Sequence, residues 1–282
     1  MKRILIVSHD AGGANLILYW AINYNYKYDF YLKGPAVKIF KSKFKNIKIR
    51  RKIPINVDYS LVITGTSLYS NIEYETIKHF KKKTKTVSMI DHWINYKLRF
   101  YRHKKLNYPS EIWVTDRNAL TMARKKLKNK IIKLKPNYYL SSMKKDFKKY
   151  KNKKIRFKYL FASNNFKKNS YKNPSISMSS KEIFLKFIAI VKNENCNILF
   201  RAHPSENKKK YNVLLSKYKN IFFDNNSNFL SSLSISENLV GCETMALVVA
   251  NHLGLKTINL DIGIKNIKTI PSKYIDKIIK IK

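Results

Sequence analysis

The turn that follows the first apolar run of the chain carries two residue types suited to proton transfer. His9 and Asp10 stand at its start, and Gly12 and Gly13 come shortly after them. An imidazole or a carboxylate within reach of a hydroxyl group can take up its proton, whereas a turn that only joins two elements needs neither. The apolar spacing that follows indicates a helix, whose first turn includes Asn15 and offers backbone N–H groups to an anion. We therefore predict a ligand site here, with His9 and Asp10 as candidate catalytic residues.

A second group of this kind ends a predicted strand in the first half of the chain. Asp91, His92 and Trp93 are consecutive. The carboxylate could act as a general base and the indole could stack on a sugar ring; packing of His92 and Trp93 inside the protein is the alternative. Thr66 follows the preceding strand and adds a hydroxyl group, unless the segment 64–67 is only a turn. Asp91 and His92 thus join the catalytic candidates.

Two strand ends in the second half carry groups suited to phosphate. At the first of them, Arg201 and His203 lie in the run Arg-Ala-His-Pro. The planar guanidinium fork matches the oxygens of a phosphate, although an exposed arginine at a strand exit is an ordinary alternative. Arg201 is therefore a candidate phosphate contact, with His203 beside it at the same strand exit.

The other strand end opens directly into a helix. Its turn consists of Gly241, Cys242, Glu243 and Thr244. Backbone N–H groups at the helix start can bind phosphate, and the glutamate could hold ribose hydroxyl groups. A capping turn, with Glu243 favoured by the helix dipole, is the alternative. These four residues are candidates for binding a nucleotide or its phosphates.

Strand-like and helix-like segments alternate along the whole chain, which is typical of parallel sheets built from βαβ units. Strands are predicted at 3–8, 29–32, 61–64, 86–90, 112–115, 159–162, 197–202, 221–223, 238–240 and 256–260. Helices are predicted at 14–25, 35–44, 70–80, 117–126, 179–193, 206–218, 229–233 and 243–253. The helix at 70–80 is expected on the surface, with Glu73 and Glu75 exposed.

The predicted fold class is α/β, with two Rossmann-like parallel-sheet domains that face each other across a cleft. The domains are expected at 1–142 and 159–282. Lysine dominates residues 143–158 and the apolar period weakens there, so this segment is predicted to be a basic linker or an exposed basic helix.

The charge balance is strongly positive. The 282 residues include 58 lysines and arginines against 17 aspartates and glutamates, a formal net charge of +41. Such a field favours an anionic partner, either a membrane face or phosphate-bearing substrates. The basic residues show neither the aromatic-and-basic pattern nor the helix-turn-helix or RNP-like strand of a nucleic-acid binder, so nucleic acid is not the expected partner.

Several classes of protein are not indicated. No apolar run is long enough for a transmembrane helix, and the first residues lack the features of a signal peptide. Cys196 and Cys242 are far apart and lack metal-site spacing, which fits a reducing cytoplasm. We expect a cytoplasmic protein, peripheral on the inner face of the cytoplasmic membrane if its charge acts there, with no metal and no cofactor.

The run Arg201-Ala202-His203-Pro204, followed by the helix start at 241–244, resembles the second half of GT-B-fold glycosyltransferases. It is most similar to the branch that includes UDP-N-acetylglucosamine 2-epimerases, CDP-glycerol glycerophosphotransferases and capsule polysaccharide transferases. The resemblance implies that the second domain binds the diphosphate of an activated sugar and that the first domain holds the acceptor. The acceptor-side residues would then be Gly12, Gly13, Asn15, Thr66 and Trp93. The Ser-Gly-Gly run and paired glutamates of the epimerases are missing from this sequence.

The predicted function is therefore a glycosyltransferase that moves a sugar, or a related group, from a nucleotide sugar to a cell-envelope glycan or glycolipid acceptor. His9, Asp10 or Asp91 would take the acceptor proton. No Asp-x-Asp pair is present, so the expected mechanism needs no metal. The alternatives are a nucleotide-sugar 2-epimerase and a non-enzymatic basic protein that binds nucleic acid or an anionic membrane.

Overall fold

The chain divides into two compact units, Met1–Ser142 and Met143–Lys282. The computed structural model describes residues 2–150, 153–166, 178–207, 209–226, 228–263 and 269–281.

The first unit is built around one parallel sheet. Its elements, in chain order, are β1 (Arg3–Ser8), α1 (Ala11–Ile22), β2 (Lys27–Leu32), α2 (Pro35–Lys41), β3 (Leu61–Thr64), α3 (Ile72–Phe80), β4 (Thr86–Met89), β5 (Tyr101–Arg102), β6 (Lys105–Leu106), β7 (Glu111–Val114), α4 (Arg117–Lys126), β8 (Ile132–Leu134) and α5 (Tyr138–Phe147), the last of which crosses the boundary between the units. Six strands pair in the order β2-β1-β3-β4-β7-β8, all parallel, while β5 and β6 form a separate antiparallel hairpin.

Apolar side chains on both faces explain why this sheet is buried. Ile4 and Ile6 of β1 pack with α1 and α2, whereas Leu5 and Val7 point the other way and pack with Phe80 of α3. Because successive strand residues alternate between faces, a continuous apolar run fits a strand covered by helices on both sides. The run of β1 therefore identifies a central strand.

The second unit repeats this design. It contains β9 (Phe157–Ala162), α6 (Ser180–Ile190), β10 (Ile198–Arg201), α7 (Lys209–Leu215), β11 (Ile221–Phe223), α8 (Phe229–Leu233), β12 (Ser236–Gly241), α9 (Met245–His252), β13 (Lys256–Asp261) and β14 (Lys277–Lys280). The strands pair in parallel in the order β11-β10-β9-β12-β13-β14. Phe161 and Phe200 of the sheet pack with Phe184 and Phe187 of α6 and with Tyr211 of α7.

Each sheet has a point where the strand order reverses. In the first unit β1 lies between β2 and β3, and in the second unit β9 lies between β10 and β12. Loops leave such a point in opposite directions, which opens a crevice at the carboxyl ends of the strands, where open α/β sheets bind their ligands. The loops that could bind a ligand are therefore those after β1, β3 and β4 in the first unit and those after β9, β10 and β12 in the second.

The structure confirms the predicted α/β class with two six-stranded parallel sheets. Helix α1 starts at Ala11, three residues before the predicted start, and Asp10 stands at its N-cap position. The β5–β6 hairpin, β8, β14 and residues 138–142 of α5 were not predicted as strands or helices. The predicted linker at 143–158 contains the end of α5 and a 3-10 turn at Lys148–Tyr150, and its boundaries stay a prediction.

Candidate functional site

The predicted pair at the end of β1 forms a hydrogen-bonded dyad. Nδ1 of His9 lies 2.6 Å from Oδ1 of Asp10, and the Ser67 hydroxyl donates to the same oxygen at 2.9 Å. In a neutral ring that donates from Nδ1 to this carboxylate, Nε2 keeps its lone pair, because a neutral imidazole has one donor and one acceptor nitrogen. The arrangement resembles the way an aspartate orients a catalytic histidine.

Gly34 leaves space beside this free nitrogen. A Cβ atom at Gly34 would lie 2.6 Å from Nε2 of His9. The residue also has φ +52° and ψ −142°, a backbone conformation that only glycine adopts readily. A side chain at this position would displace the imidazole. The position of the His9 ring in the dyad therefore requires glycine at residue 34.

Asp91 reaches the same crevice from the end of β4. A Cβ atom on Gly12 would lie 1.8 Å from its Oδ2, so this carboxylate oxygen occupies the space that Gly12 leaves open in the first turn of α1. The other oxygen, Oδ1, accepts a hydrogen bond from Nη1 of Arg99 at 2.9 Å. The structure thus brings Asp10 and Asp91, which the sequence predicted separately, to one helix start.

Arg99 ties the loops after β3 and β4 together. Its Nη1 also donates to the Thr66 hydroxyl at 2.7 Å and to the Thr66 carbonyl oxygen at 3.1 Å. Its side chain is only 7% exposed. A buried guanidinium with this many acceptors holds Asp91 and Thr66 in place, so Thr66 takes part in the framework of the site.

The remaining predicted residues of the first unit are more enclosed. Trp93 is buried and donates its indole N–H to Asp116 at 2.9 Å, and the ring of His92 packs edge-on against it. A Cβ atom at Gly13 would lie 3.2 Å from Cα of Gly65, which shows a close approach of two backbones. Asn15 is half-buried in α1. The burial of Trp93 fits packing, and the predicted roles of these residues stay predictions.

Glu73 was expected on a surface helix, and this expectation is wrong. Glu73 is 3% exposed, and its Oε1 accepts the backbone N–H of His9 at 2.9 Å. Its Oε2 and the hydroxyl of Ser8 are buried without a hydrogen-bond partner, and the built Cβ of Gly65 lies near both side chains. Burial raises the pKa of Glu73 to about 7, although the His9 N–H works in the opposite direction. The face that carries Ile77 and Phe80 also carries Glu73, at helical spacing, so the sequence contained a signal for its burial.

This carboxyl group should make stability fall as the pH rises. Its folded-state pKa of about 7 exceeds its ordinary value of 4.5, so folding is unaffected below pH 4.5 and loses about 3 kcal/mol between there and pH 7. Glu73→Gln should therefore gain stability over wild type at pH 8 but not at pH 4.5, as measured by urea unfolding at both pH values. Glu75→Gln, on the same helix and partly exposed, is the matched control and should show no such pH dependence. Equal stability differences for Glu73→Gln at the two pH values would contradict the prediction.

In the second unit, Arg201 is held by a partner from the next strand. Its Nη1 donates to Oδ2 of the fully buried Asp224 side chain at 2.6 Å, and further to the Asn226 carbonyl and the Ser232 hydroxyl. The sequence predicted the arginine but not this carboxylate, which is 23 residues away. The predicted phosphate contact of Arg201 stays a prediction. It would have to be made by Nε or Nη2, because Nη1 already donates to Asp224, Asn226 and Ser232.

His203 lies between the loops after β9 and β10. Its Nδ1 is 2.7 Å from the hydroxyl of Ser205, to which Asn165 donates at 3.0 Å. Burial lowers the pKa of His203, so the ring is neutral at pH 7 and can serve a ligand as a hydrogen-bond donor or acceptor. Asn165 and Ser205 were not among the predicted site residues.

The turn from β12 into α9 is held by an unusual glutamate. Glu243 has φ +46°, in the left-handed region that costs a side chain about 1 kcal/mol or more. Its Oε2 accepts the backbone N–H groups of Thr269 at 2.6 Å and Ile270 at 3.0 Å and the Thr269 hydroxyl at 2.8 Å. Its Oε1 accepts from the Asn259 amide at 2.6 Å. This carboxylate holds protein groups together, and its predicted contact with ribose stays a prediction.

The other residues of this turn fix its shape. A Cβ atom at Gly241 would lie 2.5 Å from Cγ2 of Thr244, so glycine is needed for the tight approach. Thr244 caps α9 by accepting the Ala246 N–H. Cys242 is buried, its carbonyl oxygen accepts from the Asn164 amide, and burial raises the pKa of its thiol to about 12. The buried thiol therefore stays protonated at neutral pH. The groups of this turn that remain candidates for binding phosphate are the backbone N–H groups at the start of α9.

Two absences can be stated for the part of the chain that the structure describes. No group of three or more histidine, cysteine, aspartate or glutamate side chains there could hold a metal ion. Among the same residues, no helix combines the length and the apolar composition needed to cross a bilayer.

Comparison with known proteins finds similarity in structure and not in sequence. No protein-family model matches the chain, and no curated protein matches it in sequence. A solved UDP-GlcNAc 2-epimerase from Methanocaldococcus jannaschii, in complex with UDP-GlcNAc and UDP, is 12% identical over 99% of this chain and 88% of its own, with a TM-score of 0.69. The Neisseria meningitidis UDP-GlcNAc 2-epimerase bound to UDP-GlcNAc is 11% identical over 94% and 84%, with a TM-score of 0.60. The E. coli heptosyltransferase with ADP is 12% identical over 99% and 91%, with a TM-score of 0.50. These similarities confirm the predicted GT-B-like fold class.

Proposed function

We propose that this protein is an enzyme that acts on nucleotide sugars, and that it transfers a glycosyl group to a hydroxyl of a cell-envelope glycan or glycolipid acceptor. The observation that carries the proposal is the His9–Asp10 dyad, with 2.6 Å between Nδ1 and Oδ1, at the point where the strand order of the first sheet reverses. The solved structures of similar fold include complexes with UDP-GlcNAc, UDP and ADP, which supports a nucleotide-sugar donor.

The proposed reaction is a direct displacement. Nε2 of His9 takes the proton of the acceptor hydroxyl, while the acceptor oxygen attacks the anomeric carbon of the donor. The bond between that carbon and the nucleotide diphosphate breaks, and its electron pair leaves with the diphosphate. The N–H groups at the start of α9, together with His203 and Arg201, are proposed to stabilise the leaving group. No step in this scheme requires a metal ion.

A nucleotide-sugar 2-epimerase is the second candidate, and Asp91 is the observation that favours it. Inverting a carbon that bears a hydrogen requires removal of a proton from one face and its return to the other. The crevice contains two acid–base groups on separate loops, the His9–Asp10 dyad and Asp91 over Gly12. The solved epimerases of similar fold support this candidate as well as the heptosyltransferase supports transfer.

One experiment in heavy water separates the two. The purified protein is incubated with UDP-GlcNAc in D2O and the sugar is followed by proton NMR, with and without cell-envelope glycolipid extract. An epimerase should exchange the C2 hydrogen for deuterium without any acceptor. A transferase should leave C2 unchanged and release UDP in a manner that depends on acceptor. A protein that neither turns over nor binds UDP, CDP, GDP, ADP or their sugars, as judged by a thermal-shift screen, would overturn the enzymatic proposal.

The variant for testing nucleotide binding is His203→Ala rather than Arg201→Ala. Removing Arg201 would leave the buried Asp224 carboxylate without its cation and destabilise the unit. His203→Ala leaves that ion pair intact and should weaken nucleotide binding about tenfold, in line with one lost hydrogen bond to a charged group. Isothermal titration of both proteins with the nucleotide found in the screen measures the change.

A further inference from the structure

Five large apolar side chains are exposed on two neighbouring loops of the first unit. We call them the apolar patch: Leu68 (37% exposed), Tyr69 (71%), Leu98 (54%), Tyr101 (43%) and Leu106 (49%). Leu68 and Tyr69 follow β3, and the other three belong to the segment between β4 and β7 that contains the hairpin. Single exposed apolar residues are ordinary on protein surfaces, but a group of this kind marks an interaction site.

Arg102 holds the two loops against each other. Its Nη1 donates to the carbonyl oxygens of Leu98 at 3.1 Å and Tyr101 at 2.6 Å, its Nη2 donates to the carbonyl of Ser67, and its Nε donates to Asn71 at 3.1 Å. Ser67 directly precedes Leu68 in the chain. Arg102 thus brings the chain next to Leu68 close to the chain at Leu98 and Tyr101.

The hairpin presents its apolar residues on one face. Tyr101 pairs with Leu106, and Arg102 pairs with Lys105. Because side chains alternate between the faces of a strand, Tyr101 and Leu106 share a face opposite to the one on which Arg102 is bound to the body of the unit. This face carries two exposed apolar side chains side by side.

Cationic side chains accompany the apolar patch. Lys97 and Lys104 are exposed, and the two residues of the hairpin turn, His103 and Lys104, have φ +49° and +59°. Such turns normally use asparagine and glycine, so the cations stand at a position that the backbone disfavours for them. The acidic group near the hairpin is Glu75, 4.0 Å from Nε2 of His103 and 3.9 Å from Nζ of Lys78. The net charge of the side chains around the hairpin is therefore positive.

We propose that the apolar patch docks on an anionic lipid bilayer, with its leucine and tyrosine side chains among the acyl chains and Lys97 and Lys104 against the lipid head groups. Exposed apolar side chains ringed by lysine are the chemistry of interfacial membrane binding. Three of the five patch residues are leucines, which suit hydrocarbon and offer nothing to stack on nucleic-acid bases. Lipid is therefore favoured over nucleic acid as the occupant.

The apolar patch adjoins the candidate site through Arg99. This residue lies next to Leu98 in the chain and binds both Asp91 and Thr66, which border the His9–Asp10 crevice. A surface that docks on lipid here would bring a lipid-linked acceptor to the crevice. This last step rests on the proposed function, whereas docking itself does not.

Vesicle binding tests the docking proposal without any assay of activity. The full chain is sedimented with phosphatidylcholine vesicles that contain phosphatidylglycerol and with pure phosphatidylcholine vesicles. The triple variant Leu98→Ser, Tyr101→Ser, Leu106→Ser should lower the partition coefficient on the anionic vesicles at least tenfold. Replacing Lys97 and Lys104 with glutamine should also lower it about tenfold and flatten its dependence on salt. The matched control Ile22→Ser, Val213→Ser, Ile278→Ser removes three equally exposed apolar side chains elsewhere and should bind like wild type.

Two outcomes would overturn the proposal. Binding of the triple variant at the wild-type level, like its matched control, would mean that the positive charge of the whole chain, and not the apolar patch, binds the vesicles. Displacement of wild type from vesicles by a short oligonucleotide, with the triple variant binding that oligonucleotide as wild type does, would identify nucleic acid as the partner. Circular dichroism of each variant verifies that it is folded.

Discussion

Replacing Glu243 with alanine should lower the free energy of unfolding by about 4 kcal/mol, because each buried N–H donor left without its acceptor costs about 1–3 kcal/mol. The loss has a specific cause. The N–H groups of Thr269 and Ile270 and the Asn259 amide would lose their acceptor at once. Urea unfolding followed by circular dichroism measures the change, and an unchanged m-value would show that the effect lies in stability.

Two further variants make this prediction specific. Glu237→Ala removes an exposed glutamate from β12, the strand that precedes Glu243, and should change stability by no more than about 0.5 kcal/mol. Glu243→Gly should be about 1 kcal/mol more stable than Glu243→Ala, since glycine accepts the left-handed backbone at this position. A Glu243→Ala protein as stable as wild type would show that the carboxylate is dispensable to the fold and free to serve a ligand.

Replacing His9 with alanine should reduce kcat/KM of the proposed transfer reaction about 1,000-fold, the middle of the range for loss of a general base. The expectation follows from the dyad, in which Asp10 fixes the ring and leaves Nε2 free beside Gly34. Steady-state release of the nucleoside diphosphate is the measurement. Asp10→Asn should also be strongly impaired, because an amide in place of the carboxylate no longer favours the hydrogen on Nδ1.

The matched control for this prediction is His79→Ala. His79 lies in α3 and contacts Lys83 on the surface, outside the crevice, so its loss should leave kcat/KM unchanged. If His9→Ala kept its activity while Asp91→Asn lost it, the base would be Asp91, and the dyad would have a positioning role.

Local signals made most of the fold predictable. The bounds of β1, β3 and α4 match the predicted segments, and Asp116 caps α4 by accepting the Ala119 N–H. The hairpin of β5 and β6 was missed because His103 and Lys104 stand in its turn, where asparagine and glycine would have indicated it. Strand β14 was missed because its paired position at the sheet edge depends on β13 and not on its own pattern.

The candidate site was predictable at the level of residue types and less so at the level of partners. The dyad could be predicted because His9 and Asp10 are neighbours in the chain. The partners Arg99 and Asp224 could not, since they lie 8 and 23 residues from the groups that they hold, and only the folded chain brings them there. Glu73 is an intermediate case. Its helical spacing from Ile77 and Phe80 indicated burial, whereas its charge indicated exposure to solvent.

The hydrogen bonds of Glu243 connect the segment that precedes β14, at the edge of the second sheet, to the turn between β12 and α9. Thr269 and Ile270 are bound at that turn, and the chain then runs on to β14 beside β13. A truncation after Gly263 would therefore remove an edge strand and, in the same cut, release a left-handed residue that opens α9. Shortening the protein from this end would remove the hydrogen bonds that Thr269 and Ile270 donate to Glu243. The turn before α9 would then lose the contacts that hold its left-handed backbone.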